Sequence, residues 1–355
     1  MNLYFTLKKC ILLFCRGECI GVMKAGKNST KKKITMKDIA EIAGVTKTTI
    51  SRYFNGGYIK KETKDKIAKI IKKYNYEPNT FARLNAKQSY MIGVIVPALD
   101  SIVTSRVLTG LEKTFREKHY MPIIINTNHE PKLELHYIEK LKRLNVDGIV
   151  LSATEITDDH KKVLKKLDIP IVIYGQEYSD GISIVNDDYN AGVEIGEYIG
   201  SKNHKNVGFI AVDEKDAAIG ITRRNGVLDG LKNYNINNVS IEIADFSYDS
   251  AKLATKKLLK NKKLDAIICS TDRQAHSVYK VIKEKGLKMP DDISVISFGG
   301  YEIDEIIEPR LSTIKFDSFY AGVCAANTLI DLINNINVKK VLYINYEFIE
   351  GKSVR

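Results

Sequence analysis

Polar and apolar positions follow two rhythms along this chain. Up to about residue 76 the apolar residues return every three or four positions. Beyond residue 90 they gather into short unbroken runs separated by amphipathic stretches. Residues 35–55 read as two short helices folded over one tight turn. Thr35 offers a capping hydroxyl and Asp38 an acid in the first turn, while Ile39, Ala40 and Ala43 form a narrow apolar face. Gly44 is placed to stop that helix in the left-handed conformation, and Val45 to plug the corner. Thr46 caps a second helix with Ile50 inside and Lys47, Thr48, Thr49, Ser51 and Arg52 outside. Short apolar residues within and hydrogen-bonding side chains without are what entry into a DNA major groove requires; an αα-corner of a larger helical domain is the blander alternative. A third helix over 62–74 places Ile67, Ile70, Ile71 and Tyr74 at helical spacing, enough to close a three-helix mini-core. Lys60 stands where its cap should be. Pro78 and Asn79 break the pattern, and 80–89 is a short linker able to form a helix.

From Met91 onward, strands are expected at 92–97, 121–126, 147–152, 169–175, 182–186, 207–212, 239–244, 265–270, 293–298 and 311–315, with amphipathic helices between most of them. Continuous apolar strands separated by helices mean parallel sheets covered on both faces. Some ten strands exceed one sheet of ordinary size. Two doubly wound subdomains follow, with chain crossings near 187 and 316. Ligands of such folds bind beyond the carboxyl ends of the strands, here in a cleft between lobes.

Charge sharpens this division. The chain of 355 residues carries +12, and residues 24–87 alone hold 17 lysines and arginines against 5 acids. Residues 91–355 hold 35 against 37. A neutral body with a basic head is an electrostatic footprint for phosphate backbone rather than for mere solubility. The five cysteines show no CxxC spacing and suit a reducing cytoplasm. No apolar stretch approaches the roughly 20 residues that span a bilayer. Residues 1–33 read as an unstructured extension. The six-residue apolar core at 10–15 is too short for a signal peptide, Met23 is a plausible true start, and Lys31 to Lys33 make a basic arm. Enzymatic readings lack their parts: there is no GxGxxG after the first strand, no GxxxxGK[ST], no GxSxG and no HExxH. The six histidines are scattered, with His119 and His160 expected as solvent-facing helix residues. Neither a cofactor nor a metal is expected.

Residues 34–89 resemble the headpiece and hinge of the lactose-repressor/galactose-repressor family of bacterial transcription regulators, and the remainder resembles that family's effector domain, which has the periplasmic sugar-binding-protein fold. The resemblance implies an α/β fold class: a small all-α helix-turn-helix headpiece plus a periplasmic-binding-protein-like domain of two doubly wound parallel-sheet subdomains. It divides the chain into a headpiece at 34–77, a hinge at 78–90 and an effector and dimerisation domain at 91–355. The first lobe takes about 91–187 plus 316–340 and the second about 188–315 plus 341–355. Within the family, stretches such as 96–101, 153–157, 174–176, 298–302, 311–316 and 352–355 look most like the sucrose-operon repressors of low-GC Gram-positive bacteria.

The resemblance makes Lys47, Thr48 and Arg52 the base readers. Thr35, Thr46, Thr49, Ser51 and Asn55 become phosphate contacts or buttresses, with Asn79, Arg83 and Leu84 on DNA from the hinge. The family order Ala-Arg-Ser-Leu is one residue shorter at 82–84, about 100° of helix, so Leu84 is either a minor-groove wedge or a leucine packed between protomers. Effector contacts are expected from Asp100, Ser101, Thr104, Tyr174, Gln176, Arg223, Phe246 and Asp272. Gly299 stands where many members carry an aspartate, and Val103-Thr104 where many carry two aromatics. These departures leave room for a larger or anionic ligand, and Arg223 with Arg224 suggests a phosphorylated disaccharide. The expected protein is a cytoplasmic homodimeric repressor that binds operator DNA and is released by a sugar or sugar phosphate. A carbon-catabolite regulator using a phosphocarrier protein, and an extracytoplasmic sugar receptor, are the alternatives. With no heptad tail, a dimer is expected rather than a tetramer.

Overall fold

The computed structural model describes residues 34–54, 57–76, 88–261 and 263–355. The expected extension at 1–33, and Asn55, Asn79, Arg83 and Leu84, lie outside the described residues. The chain forms two compact units, 1–80 and 81–355.

In the first unit, α1 (Met36–Ala43) opens with a reciprocal cap. Asp38 N–H donates to Thr35 Oγ1 at 3.3 Å, and Thr35 N–H donates to Asp38 Oδ2 at 2.8 Å. Gly44, at φ 63°, ends it in the left-handed region, its N–H returning to Ala40 and Glu41 carbonyls. The second helix, α2 (Lys47–Phe54), starts on Thr46, whose hydroxyl accepts from Thr49 N–H at 3.2 Å. No side chain caps the start of α3 (Lys61–Tyr74), as Lys60 foretold. Ile39, Ala40, Ala43, Ile50 and Ile67 are buried together. Tyr74, expected to complete the apolar stripe, is instead partly exposed. The chain reverses at Asn75, φ 44°, and folds Tyr76 back onto Phe54, with ring centroids 6.0 Å apart.

The second unit is two six-stranded sheets among the described residues. The first runs through β1 (Met91–Val96), β2 (Met121–Asn126), β3 (Gly148–Ser152), β4 (Ile171–Tyr174), β5 (Ile182–Asn186) and β11 (Val341–Ile344), in the order β11-β5-β4-β3-β1-β2 and parallel throughout. The second uses β6 (Val207–Ala211), β7 (Ser240–Ile243), β8 (Ala266–Cys269), β9 (Ser294–Phe298), β10 (Ser312–Phe316) and β12 (Tyr346–Ile349), in the matching order β12-β10-β9-β8-β6-β7, with β12 antiparallel. Alternation places Ile92, Val94 and Val96 in one core and Met91 and Ile95 in another, so β1 is buried on both faces. The first core is closed by α4 (Ile102–Glu117) and α11 (Ser318–Ile333), and the second by α5 (Pro131–Arg143). In the second lobe, α7 (Asp188–Ser201) and α8 (Arg224–Lys232) cover one face while α9 (Tyr248–Asn261) and α10 (Asp272–Glu284) cover the other. Glycines let α7 and α8 touch backbone to backbone: a Cβ on Gly226 would lie 2.1 Å from the Tyr189 carbonyl oxygen.

The residues 341–344, expected in the second lobe, belong to the first. β11 pairs with β5 from Val341↔Ser183 to Ile344↔Asn186 and buries Ile344 in the first core. The third crossing therefore falls at Asn345. Neither edge strand, β11 nor β12, was among the expected strands, whereas α6 (Asp158–Lys165) is the helix expected around His160. His160 lies in α6 but not facing solvent. It is fully buried, with Nε2 3.1 Å from Glu134 Oε2 and Nδ1 2.8 Å from Thr157 Oγ1. His119 is exposed but sits in a turn at φ 63°, past the end of α4.

Candidate functional site

On the headpiece, Lys47, Thr48 and Arg52 are exposed on α2, opposite buried Ile50, with Thr49 and Ser51 half-buried beside them. Thr35 and Thr46 serve as caps of α1 and α2. One face of an eight-residue helix thus offers a guanidinium, an ammonium and hydroxyls, a set able to reach base edges and phosphates.

In the second unit the carboxyl ends of both sheets face one another, and side chains cross between them. Gln176 follows β4. Its Nε2 donates to the Thr154 carbonyl at 3.2 Å and to Asp216 Oδ1 at 2.9 Å, while its Oε1 accepts from Ala218 N–H at 3.2 Å. Asp216 caps the π-helical segment Ala217–Arg223, and burial pushes its carboxyl up despite the Ile219 N–H and Gln176 bonds. Glu134, held by His160, accepts from Thr154 N–H at 3.3 Å and so braces the loop after β3. His129 stacks on Phe246 across the lobes. Arg273 Nη1 meets Asp100 Oδ2 at 3.0 Å, an exposed pair contributing less than about 1 kcal/mol. Arg106 of α4 donates to the Gly300 carbonyl from both terminal nitrogens at 3.1 Å and to Glu302 Oε1 at 2.7 Å.

Arg223 is 4 % exposed and fully engaged within the protein. Its Nε and Nη2 donate to Asp188 Oδ1 at 2.8 and 2.5 Å, its Nη1 to the Ser270 carbonyl at 2.8 Å, and its guanidinium lies over the rings of Phe298 and Phe316. Burial drives the Asp188 carboxyl above its ordinary range, with Arg223 pulling it back. Arg224 pairs with Glu214. Tyr174 is buried beside this pair, its phenol made less acidic by burial and then by Asp188.

The structure therefore gathers Tyr174, Gln176 and Arg223 around Asp188 and Asp216, and sets Phe246 half-buried on the rim. Asp272 is turned inward. Its Oδ1 accepts from Ser297 Oγ at 2.5 Å and Thr313 Oγ1 at 2.7 Å, and burial, then neighbouring Asp304, push its carboxyl well up. A Cβ on Gly299 would fall 2.3 Å from Asp272 Oδ2, so the carboxylate fills the space a side chain at 299 would take. Thr271 caps α10. Ser101 caps α4 by accepting from the N–H of buried Thr104 at 3.3 Å. Asp188, Asp216, Arg106 and His129 were not among the sequence candidates. The acid pair Asp187-Asp188 directly after a strand was the available signal for the first.

Two family descriptions match: "Periplasmic binding proteins and sugar binding domain of LacI family" over residues 89–352, and "Bacterial regulatory proteins, lacI family" over 35–79. The chain belongs to the LacI family of bacterial transcription regulators. Similar relatives include the sucrose operon repressor of Staphylococcus xylosus, 34% identical over 87% of this chain and 97% of the relative. The catabolite control protein A of the same organism is 30% identical over 86% and 94%. Among solved structures, the lac repressor dimer bound to operator and the anti-inducer ONPF superimposes with a TM-score of 0.81 at 22% identity, covering 91% of this chain and 99% of that one. A complex of the regulator CelR with cellobiose reaches 0.69 at 20% identity, covering 90% and 99%. A LacI-family chain is a transcription factor rather than an enzyme, with a DNA-binding headpiece and a sugar-binding domain. No helix among the described residues is long and apolar enough to cross a membrane.

Proposed function

We propose that this chain is a cytoplasmic, homodimeric repressor of a sucrose-utilisation operon, released from its operator when a sugar enters the cleft between the lobes. The observation that carries the sucrose reading is the 34% identity to a sucrose operon repressor along nearly the whole of both chains. Lys47, Thr48 and Arg52 are the base readers, Thr35, Thr46, Thr49, Ser51 and Asn55 position the headpiece, and Asn79, Arg83 and Leu84 serve the hinge. Effector binding draws on Asp100, Ser101, Thr104, Tyr174, Gln176 and Phe246, with Arg223 bracing Asp188 beside them as a strut. Asp272 acts from behind the Gly299–Gly300 turn rather than by touching ligand.

A neutral sugar fits the cleft better than a phosphorylated one. Arg223, Arg224, Arg273 and Arg106 each face a carboxylate of the protein, whereas buried Asp216, held by Gln176, suits hydroxyl groups. Binding of sugar shifts a two-state equilibrium by its differential affinity for the two lobe arrangements.

The test uses duplexes selected by the full-length protein from a random pool. Operator affinity is then measured against sucrose, sucrose 6-phosphate, fructose and a phosphocarrier protein. Sucrose should weaken operator binding, and Arg52→Ala should cost about 1–3 kcal/mol of operator affinity for the lost base contact. Tightening by the phosphocarrier alone would favour the catabolite regulator instead.

A further inference from the structure

The two sheets share one strand order, and this fixes where the cleft is joined and where it is free. All three lobe crossings leave from β5, β10 and β11, at or beside one edge of each sheet. The opposite edges are β2 and β7, and the residues just beyond their carboxyl ends are His129 and Phe246. Their rings lie 16° from parallel with centroids 5.6 Å apart, an offset stack. The imidazole also has Nδ1 3.4 Å from Thr154 Oγ1, next to the Gln176–Asp216 bridge. The loop that delivers His129 is closely held. Thr127 donates to the Val96 carbonyl from both N–H and Oγ1, at 3.0 and 3.2 Å, and His129 N–H donates to the Pro97 carbonyl at 3.1 Å. Asn128 and His129 both sit in the left-handed region, at φ 51° and 60°, which few side chains occupy in succession.

We propose that His129 and Phe246 form an aromatic clasp between the lobes that closes over the apolar face of a sugar ring, with His129 a specificity-determining residue for the effector. The inference rests on the sugar-effector reading above. A sugar ring is amphipathic: its C–H face stacks on aromatic planes while its hydroxyl edge seeks donors and acceptors. Each lobe supplies one ring, so the stacking surface is complete only when the free edges of the cleft are together. Inside it, the Asp216 carboxylate and the Thr154 hydroxyl are placed for the hydroxyl edge, with Gln176 holding Asp216 in position. Selection of the ring and closure of the lobes are thereby one event.

The test is calorimetry of sucrose binding to the full-length protein and to H129A, F246A and H129F. H129A and F246A should each weaken sucrose binding about tenfold, as loss of an aromatic stack implies. H129F, which keeps the ring, should stay within about threefold of wild type. An NMR comparison gives a readout independent of ligand: the His129 ring protons should carry a ring-current shift that disappears in F246A. Wild-type protein that binds sucrose no better than H129A does, or a His129 ring indifferent to F246A, overturns the clasp alone. Wild-type protein that binds no sugar sinks the preceding reading and the clasp with it.

Discussion

Replacing Arg223 by methionine separates a strut from a ligand contact. Arg223 and Asp188 are each 4 % exposed, and Asp188 Oδ1 takes two of the arginine's hydrogen bonds. Removing one partner of such a buried pair costs about 3–5 kcal/mol, because the other charge is left in a poorly solvating interior. The Ser270 carbonyl also loses its donor, and the rings of Phe298 and Phe316 lose the cation that lies over them. These losses overlap and are not summed. Urea unfolding of the 91–355 unit should therefore show Arg223→Met destabilised by about 3–5 kcal/mol at pH 7. Adding Asp188→Asn should recover about 2 kcal/mol or more, since the stranded charge is gone. The pH dependence has a definite sign. Burial already holds the Asp188 carboxyl above its ordinary range, and Arg223 opposes that rise. Without Arg223 the folded-state value climbs further, so stability is lost as pH rises from the unfolded value through the folded one. The defect should be smaller at pH 5 than at pH 8. A loss below about 1 kcal/mol, or no recovery in the double variant, would refute the strut assignment.

Three further outcomes test other parts of the molecule. Thr35→Ala removes one half of the α1 cap and should lower headpiece stability by about 1 kcal/mol in a thermal melt. Gly226→Ala pushes a methyl against the Tyr189 carbonyl, an atom of the backbone that cannot rotate away, and should cost about 1–3 kcal/mol in denaturant unfolding. His204 is buried, and burial lowers its affinity for a proton. Below the ordinary histidine range the unfolded chain takes up that proton while the folded chain resists. Stability should then fall as pH drops through that range, and His204→Asn should flatten the fall in a pH series of unfolding midpoints.

Local signals were legible in the chain where geometry is local. Thr35, Gly44 and Thr46 announced two helices and their turn because caps act within four residues. The strand runs of the body announced two parallel sheets because both of their faces are buried. What escaped depended on distant partners. Nothing near His160 told of Glu134, 26 positions earlier, which turns an apparent surface histidine into a buried brace. Arg223 was noticed, but its role changes once Asp188, 35 positions away, is seen to hold it. The 341–349 segment looked like one tail because neither four-residue strand carries a strong pattern alone. Only an open edge on each sheet divides them.

That division leaves a single residue, Asn345, as the whole third connection between the lobes. A link so short spans at most about 7 Å between the flanking Cα atoms. It behaves as a pin: the lobes can turn about it, but they cannot slide apart. Across five strand spacings of about 4.8 Å, the lever from pin to tip is roughly 24 Å. A turn of about 10° on that arm displaces the outermost strand by about 4 Å, while residues beside the pin scarcely move. The jaws thus amplify a slight rocking at one corner into a gap wide enough to admit or release a guest at the other.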